Sequence, residues 1–166
     1  MTDASSAATR PPGPLSRLGL SIVIAVVIID QLSKAVAEAK LAYQQFIELL
    51  PILALFRVHN TGIAFSFAHG FDSLLIVGGT ALITLVVLYL WSTASEGGRI
   101  VAIGFALIAG GAIGNLIDRI RFGYVVDFLY LHLGARGLFV FNLADVALTI
   151  GPILLGWHYL IGSRKD

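Results

Sequence analysis

The chain has 166 residues, of which 57% are apolar and only 13% charged, with a net charge of +1 and a mean hydropathy of +0.89. A soluble domain carries about 45 to 50% apolar residues, so this composition describes an integral membrane protein. The chain has no cysteine, which excludes disulfides, thiol nucleophiles and thiolate metal sites within it, and it lacks the basic runs that would bind nucleic acid.

Residues 1–14, rich in Ala, Ser and Pro, are expected to form a disordered tail ahead of a single membrane domain over residues 15–166. The first apolar run, residues 18–29, is too short to cross a bilayer by itself. It becomes a span of about 16–34 if the helix carries Asp30 and continues toward Lys34. Those two residues then stand at i, i+4 near one membrane face, as an ion pair anchoring the helix end. The same run, with Arg10 and Arg17 before it and Ala37-Glu38-Ala39 after it, has the outline of a secretory signal. Asp30 and Lys34, lying between the apolar core and the cleavage site, argue against that reading.

The stretch 35–72 is more than a linker. Phe46 to Phe56 is strongly apolar, interrupted by Glu48 and Pro51, and Phe56-Arg57-Val58-His59-Asn60 before Thr61-Gly62 reads as a strand entering a turn. Two roles are open to it: a segment lying on the membrane over an opening between helices, or a packed cap. Residues 73–95, 100–117 and 146–163 contain no Asp, Glu, Lys or Arg, and each is close to the ~18 to 20 residues a spanning helix needs. The reading is an α-helical membrane protein with four spans, at about 16–34, 73–95, 99–118 and 138–162, and a small β/amphipathic-helix segment between the first two. Long unalternating runs fit helices better than barrel strands.

Four spans put both termini on one side. Lys and Arg divide almost evenly between the two sides, and the short flanks of the first and last spans favour cytoplasmic termini. Trp91, Trp157, Tyr89 and Tyr159 fall near the termini-side ends of spans, where an aromatic belt is expected.

The third span ends in Gly110-Gly111-Ala112-Ile113-Gly114-Asn115-Leu116-Ile117-Asp118-Arg119. Its glycines suit close helix packing. Asn115 and Arg119, at i, i+4, share a face at the membrane boundary, and Asp118 is expected to neutralise Arg119 beside it. Asn142 and Asp145, at i, i+3, face one way as the last helix begins. Asp127, in Tyr124-Val125-Val126-Asp127-Phe128, and Asp145 are the acids a membrane chain tolerates least, which makes them candidates for a functional site. Two such carboxylates suggest a shared proton.

Asp30-Gln31-Leu32-Ser33-Lys34, Asn60-Thr61-Gly62-Ile63-Ala64-Phe65, Gly110 to Arg119, Val125-Val126-Asp127-Phe128 and Phe141-Asn142-Leu143-Ala144-Asp145 together resemble the lipoprotein signal peptidases, or signal peptidase II, over about residues 18–161. Ile63 and Val146 stand where family members often carry smaller residues, a departure that bears on pocket shape and leaves the chemistry intact. The resemblance implies an aspartic endopeptidase of the bacterial cytoplasmic (inner) membrane that removes the signal peptide of prolipoproteins, cutting before a diacylglyceryl-modified cysteine. Asp127 and Asp145 are then the catalytic pair. Asn60, Asn115, Arg119 and Asn142 hold the site and the substrate backbone, and Asp30 and Lys34 give structural support. The expected partners are the modified precursors and membrane lipid, with no nucleic acid, no metal or other cofactor, and a monomeric chain.

The chemistry of two close carboxylates is consistent with that role. Double ionisation is disfavoured, so one proton is shared; the ionised member takes a proton from water and the neutral one hydrogen-bonds the scissile carbonyl. Eighteen positions separate Asp127 from Asp145, so the loop around Gly134 to Gly137 has to fold back to join them. Four other readings compete. Ser33, Ser66 or Ser73 with Lys34 or His59 would make a nucleophile, but none lies in a recognisable elbow. His59, His69, His132 and His158 lack the pair spacing of a helical zinc site. A proton-coupled transporter would string acids across the bilayer, whereas here they project to one face. A non-catalytic scaffold explains the glycines and leaves the carboxylates without purpose.

Overall fold

Inside lipid a backbone can satisfy its polar groups only within its own element, and the apolar runs of this chain close into helices. A computed structural model describes residues 9–62 and 73–160. In chain order it contains α1 (Arg17–Lys40), β1 (Phe46–Leu50), β2 (Leu53–Asn60), α2 (Ser73–Thr93), α3 (Gly98–Phe122), β3 (Val125–Leu133), β4 (Arg136–Phe141) and α4 (Leu143–Leu160). The four helices are long and apolar enough to cross a membrane.

α1 begins at Ser16, whose Oγ accepts the Gly19 N–H at 3.0 Å and satisfies one orphan donor of the first turn. It runs to Lys40, beyond the expected end near residue 34, because Ala35 to Ala39 is rich in good helix formers. α3 is the central helix: 61% of its apolar window is buried, against 11 to 17% in the other three. Its small residues let two neighbours approach. A Cβ on Gly110 would stand 2.8 Å from Val26 of α1, and one on Gly111 would stand 2.5 Å from the Ala144 carbonyl of α4. Gly111→Ala is therefore expected to force α3 and α4 apart at a cost of about 1–3 kcal/mol. Thermal unfolding in detergent checks this, with Gly156→Ala, which meets nothing within 4 Å, as the silent control.

At the far end of the bundle Trp91 of α2 packs with Val101, Ala102 and Phe105 of α3. Trp91 is only 1% exposed, so it belongs to the core and not to the aromatic belt where its position placed it. Its indole Nε1 donates to the Pro12 carbonyl at 2.8 Å, and Gly98 N donates to the Thr9 carbonyl at 2.8 Å. The tail expected over residues 1–14 is thus fixed from residue 9, because two helix ends supply donors to its backbone; residues 1–8 lie outside the described part.

The four strands form one antiparallel sheet in the order β1-β2-β3-β4. Between the pairs Leu55↔Leu129 and Val58↔Asp127 the register shifts, so Phe56 and Arg57 both oppose Phe128. Such a bulge bends the strand and increases its twist. The stretch from Phe46 to Asn60 is therefore a hairpin, while the apolar residues resuming at 63–67 fall outside the described residues. Residues 138–141, expected as the start of the last span, belong to β4 and pair with β3 instead, and the helix begins only at Leu143. The turn between β3 and β4 needs Gly134, whose φ of 56° lies in the left-handed region. This hairpin performs the fold-back that the separation of Asp127 and Asp145 demanded.

Candidate active site

β3 carries Asp127 as its third residue, and strand alternation turns the side chain away from the face shown by Val126 and Phe128. The Val126 N–H donates to Asp118 Oδ2 at 3.1 Å, which ties the strand to the end of α3. Asp127 is 1% exposed, and each of its oxygens accepts an amide. Asn60 Nδ2 donates to Oδ2 at 2.9 Å and Asn142 Nδ2 to Oδ1 at 2.6 Å. Asn60 is oriented by its own turn, its Oδ1 accepting the Gly62 N–H at 2.9 Å, so its amino group is left for Asp127.

Asn142 and Asp145 open α4 as a reciprocal cap. Asn142 Oδ1 accepts the Asp145 N–H at 3.0 Å, and Asp145 Oδ2 accepts the Asn142 N–H at 3.2 Å. The intervening donor, Ala144 N–H, reaches Asp30 Oδ1 of α1 at 3.0 Å. Asn115 Nδ2 donates to the other oxygen of Asp145 at 2.8 Å. Asn142 divides its amide hydrogens between Asp127 and Asn115 Oδ1, at 2.6 and 3.2 Å. One residue thus touches both candidate carboxylates.

Behind Asn115 lies a buried charge cluster. Lys34 Nζ contacts Asp30 Oδ2 at 2.8 Å, Asp118 Oδ2 at 3.0 Å and Asn115 Oδ1 at 2.9 Å, which uses all three ammonium hydrogens. Asp118, expected to neutralise Arg119, is the partner of Lys34 instead. Adjacent helix residues diverge by about 100°, and Asp118 faces α1. Gln31 Nε2 completes the cluster with a 2.8 Å bond to Asp118 Oδ1. Gln31 and Asp118 had no assigned place in the site. The available signal was the charge count: one lysine between two acids.

Arg119 shares the Asn115 side of α3 and donates from Nη1 to the Asn115 carbonyl at 3.4 Å. Its buried Nε has no hydrogen-bond partner among the described residues. The groups proposed for a serine nucleophile are occupied elsewhere: Ser33 Oγ donates to the Asp30 carbonyl, and His59 Nε2 lies 3.2 Å from Glu38. Ser66 and the Ser73 side chain lie outside the described residues.

Burial pushes the Asp127 carboxyl up to about 6, with the neighbouring charge of Asp145 adding to the rise. The hydrogen bonds from Asn60 and Asn142 and the charge of Lys34 oppose it. An unfolded aspartate releases its proton near pH 3.8, so between about 3.8 and 6 the folded protein holds a proton that the unfolded chain has lost. The stability contributed by that proton is complete below about pH 3.8 and is lost as pH rises through about 6. Unfolding temperatures recorded from pH 4 to 7 should show this fall, and Asp127→Asn should remove it.

Four helices long enough to span, carrying at one end two carboxylates joined by an asparagine beneath a small sheet, define a polytopic membrane protein with an acid pair at one end of its helix bundle. The sequence profile of signal peptidase (SPase) II matches residues 22–161. Lipoprotein signal peptidases of Brucella ovis and Brucella melitensis are each 46% identical over 147 residues, covering 89% of this chain and 92% of theirs. Two solved structures of bacterial membrane enzymes, obtained in meso at 2.3 and 1.9 Å resolution, superpose with TM-scores of 0.80 and 0.78. They are 26% and 29% identical, and the matches cover 96% and 86% of this chain and 95% and 92% of theirs. The chain belongs to the signal peptidase II family, the lipoprotein signal peptidases.

Proposed function

We propose that this chain is an aspartic endopeptidase that removes the signal peptide of prolipoproteins, cutting before a cysteine that carries diacylglycerol. The observation that carries the reading is the Asn142 bridge, which holds Asp127 and Asp145 in one hydrogen-bonded unit. Asp127, more buried and with its carboxyl raised, holds the shared proton. Asp145, in the first turn of α4 where a helix favours negative charge, is the base.

Water bound between them gives a proton to Asp145 as its oxygen bonds to the scissile carbonyl carbon, while the Asp127 proton goes to the carbonyl oxygen. The tetrahedral intermediate collapses with cleavage of the C–N bond, and the departing amine takes a proton from the pair. Asn60, Asn142 and Asn115 keep the carboxylates in register, and Arg119 offers its guanidinium to the substrate backbone. Asp30 and Lys34 support α4 and Asn115 from behind.

In this reading residues 15–166 form one membrane domain, acting as a monomer in the bacterial inner membrane. The termini lie in the cytoplasm and the sheet outside, where a lipid-anchored peptide meets water. That Asp30, Asp118, Asp127 and Asp145 gather at one end of the bundle supports proteolysis over a proton path across the bilayer. Purified protein in detergent, without added metal, is expected to cleave a diacylglyceryl-modified precursor and leave its unmodified form intact. Equal cleavage of both would discard the lipid requirement, and cleavage of neither would discard the activity.

A further inference from the structure

α1 presents a stripe that the rest of the fold leaves open. Val26, Ile29, Val36 and Lys40 recur at helical spacing along one face, and two crevices lie beside them, one at Val26 and Ile29 and the next at Val36 and Lys40. The inner one, about 210 Å³, separates α1 from α4 and is walled by Leu143 and Ile150. The outer one, about 380 Å³, separates α1 from the sheet; Leu32, Leu55 and Phe128 wall it and Lys40 stands at its mouth. From Val26 to Lys40 the stripe is about 21 Å long at 1.5 Å per residue.

Among the described residues, neither crevice is lined by Asp127 or Asp145. Phe128 and Asp127 are consecutive on β3 and point to opposite faces of the sheet. On α4, Leu143, Val146 and Ile150 share one side, whereas Asp145 turns to the other, toward Asn115. An occupant here lies against faces of β3 and α4 other than those that carry the two carboxylates.

We propose that this furrow binds one acyl chain of a bilayer phospholipid, with the phosphate held by Lys40. The walls are apolar, so water gains nothing there, and an unfilled slot would forfeit the dispersion contacts of its lining. Leu32 and Val36 are 62% and 61% exposed, a surface that acyl chains cover at this depth. Lys40 stands in the last turn of α1, at the sheet-side end of the span, and has no hydrogen-bond or ion-pair partner among the described residues. A cation there meets the phosphates of that leaflet, its methylene stem lying along the apolar wall. The chain then backs α1 beside the face that carries Asp30 and Lys34.

Full-length protein stripped of lipid in detergent and titrated with palmitoyl-oleoyl-phosphatidylglycerol should retain one molecule, read as a single adduct by native mass spectrometry. Val36→Trp, which fills the outer crevice, is expected to abolish the adduct. Lys40→Glu, a surface change that keeps the test open if the tryptophan variant does not fold, is expected to weaken binding roughly ten-fold. Palmitoyl-oleoyl-glycerol, which has no phosphate, should bind the unaltered protein similarly weakly. Adducts indifferent to both substitutions would overturn the proposal. So would displacement of the lipid by a diacylglyceryl-modified precursor, which would give the furrow to substrate, or a dimer that takes up no lipid.

Discussion

Asp127→Asn and Asp145→Asn are each expected to lower the rate of signal-peptide removal by at least about 10³-fold, the scale of a lost general acid or base. Each carboxylate accepts one N–H on each oxygen, Asp127 from Asn60 and Asn142, Asp145 from Asn115 and the Asn142 backbone. An amide in its place can accept one of these and must turn its own amino group toward the other donor. The variants therefore keep their shape and carry a local penalty of about 1–3 kcal/mol. Purified variants should unfold cooperatively in detergent, somewhat below the unaltered protein, and leave a diacylglyceryl-modified precursor uncut. Full turnover by either would remove that residue from the chemistry.

Lys34→Met should be the most destabilising single change. Lys34 is 3% exposed and balances two fully buried acids, Asp30 and Asp118. Removing one partner of a buried pair leaves uncompensated charge in a medium that solvates it poorly, at about 3–5 kcal/mol. The loss should appear as a marked drop in melting temperature and in yield of inserted protein. Adding Asp118→Asn to the same chain should recover part of it, since one of the stranded charges is then gone. An unchanged melting temperature would mean that water or protonation already neutralises the cluster. Activity should fall as well, because Lys34 fixes the Asn115 oxygen and so aims its amino group at Asp145.

What could be read from the residues alone follows the range of the forces involved. The spans were legible because lipid excludes charge, so the charge-free runs mark them. The pairing of Asn115 with Arg119 on one helical side, and of Asn142 with Asp145 at a helix start, was legible because helix geometry is local. Asp118 was assigned to the wrong cation because its true partner lies 84 positions earlier on another helix, and no local rule reaches that far. The start of the last span was misplaced for a related reason: Leu138 to Phe141 is as apolar as a helix and becomes a strand only because β3 lies open beside it. The Asn142 bridge needed the sheet, the helix cap and the fold-back together, so the sequence suggested a carboxylate pair without showing what joins it.

Asp30 accepts the N–H of Ala144, 114 positions further along the chain. During synthesis the first span is therefore in the membrane with Asp30 able to pair with Lys34 of its own helix but not with the backbone donor of α4, and the site closes only when the fourth helix arrives. A chain interrupted after α3 would hold Asp30, Lys34, Asp118 and Asn115 but lack the helix that completes them, and would present its remaining polar edge to lipid. Closure of the site is thus tied to arrival of the last helix, since the Asp30 bond to Ala144 cannot form before α4 is in place.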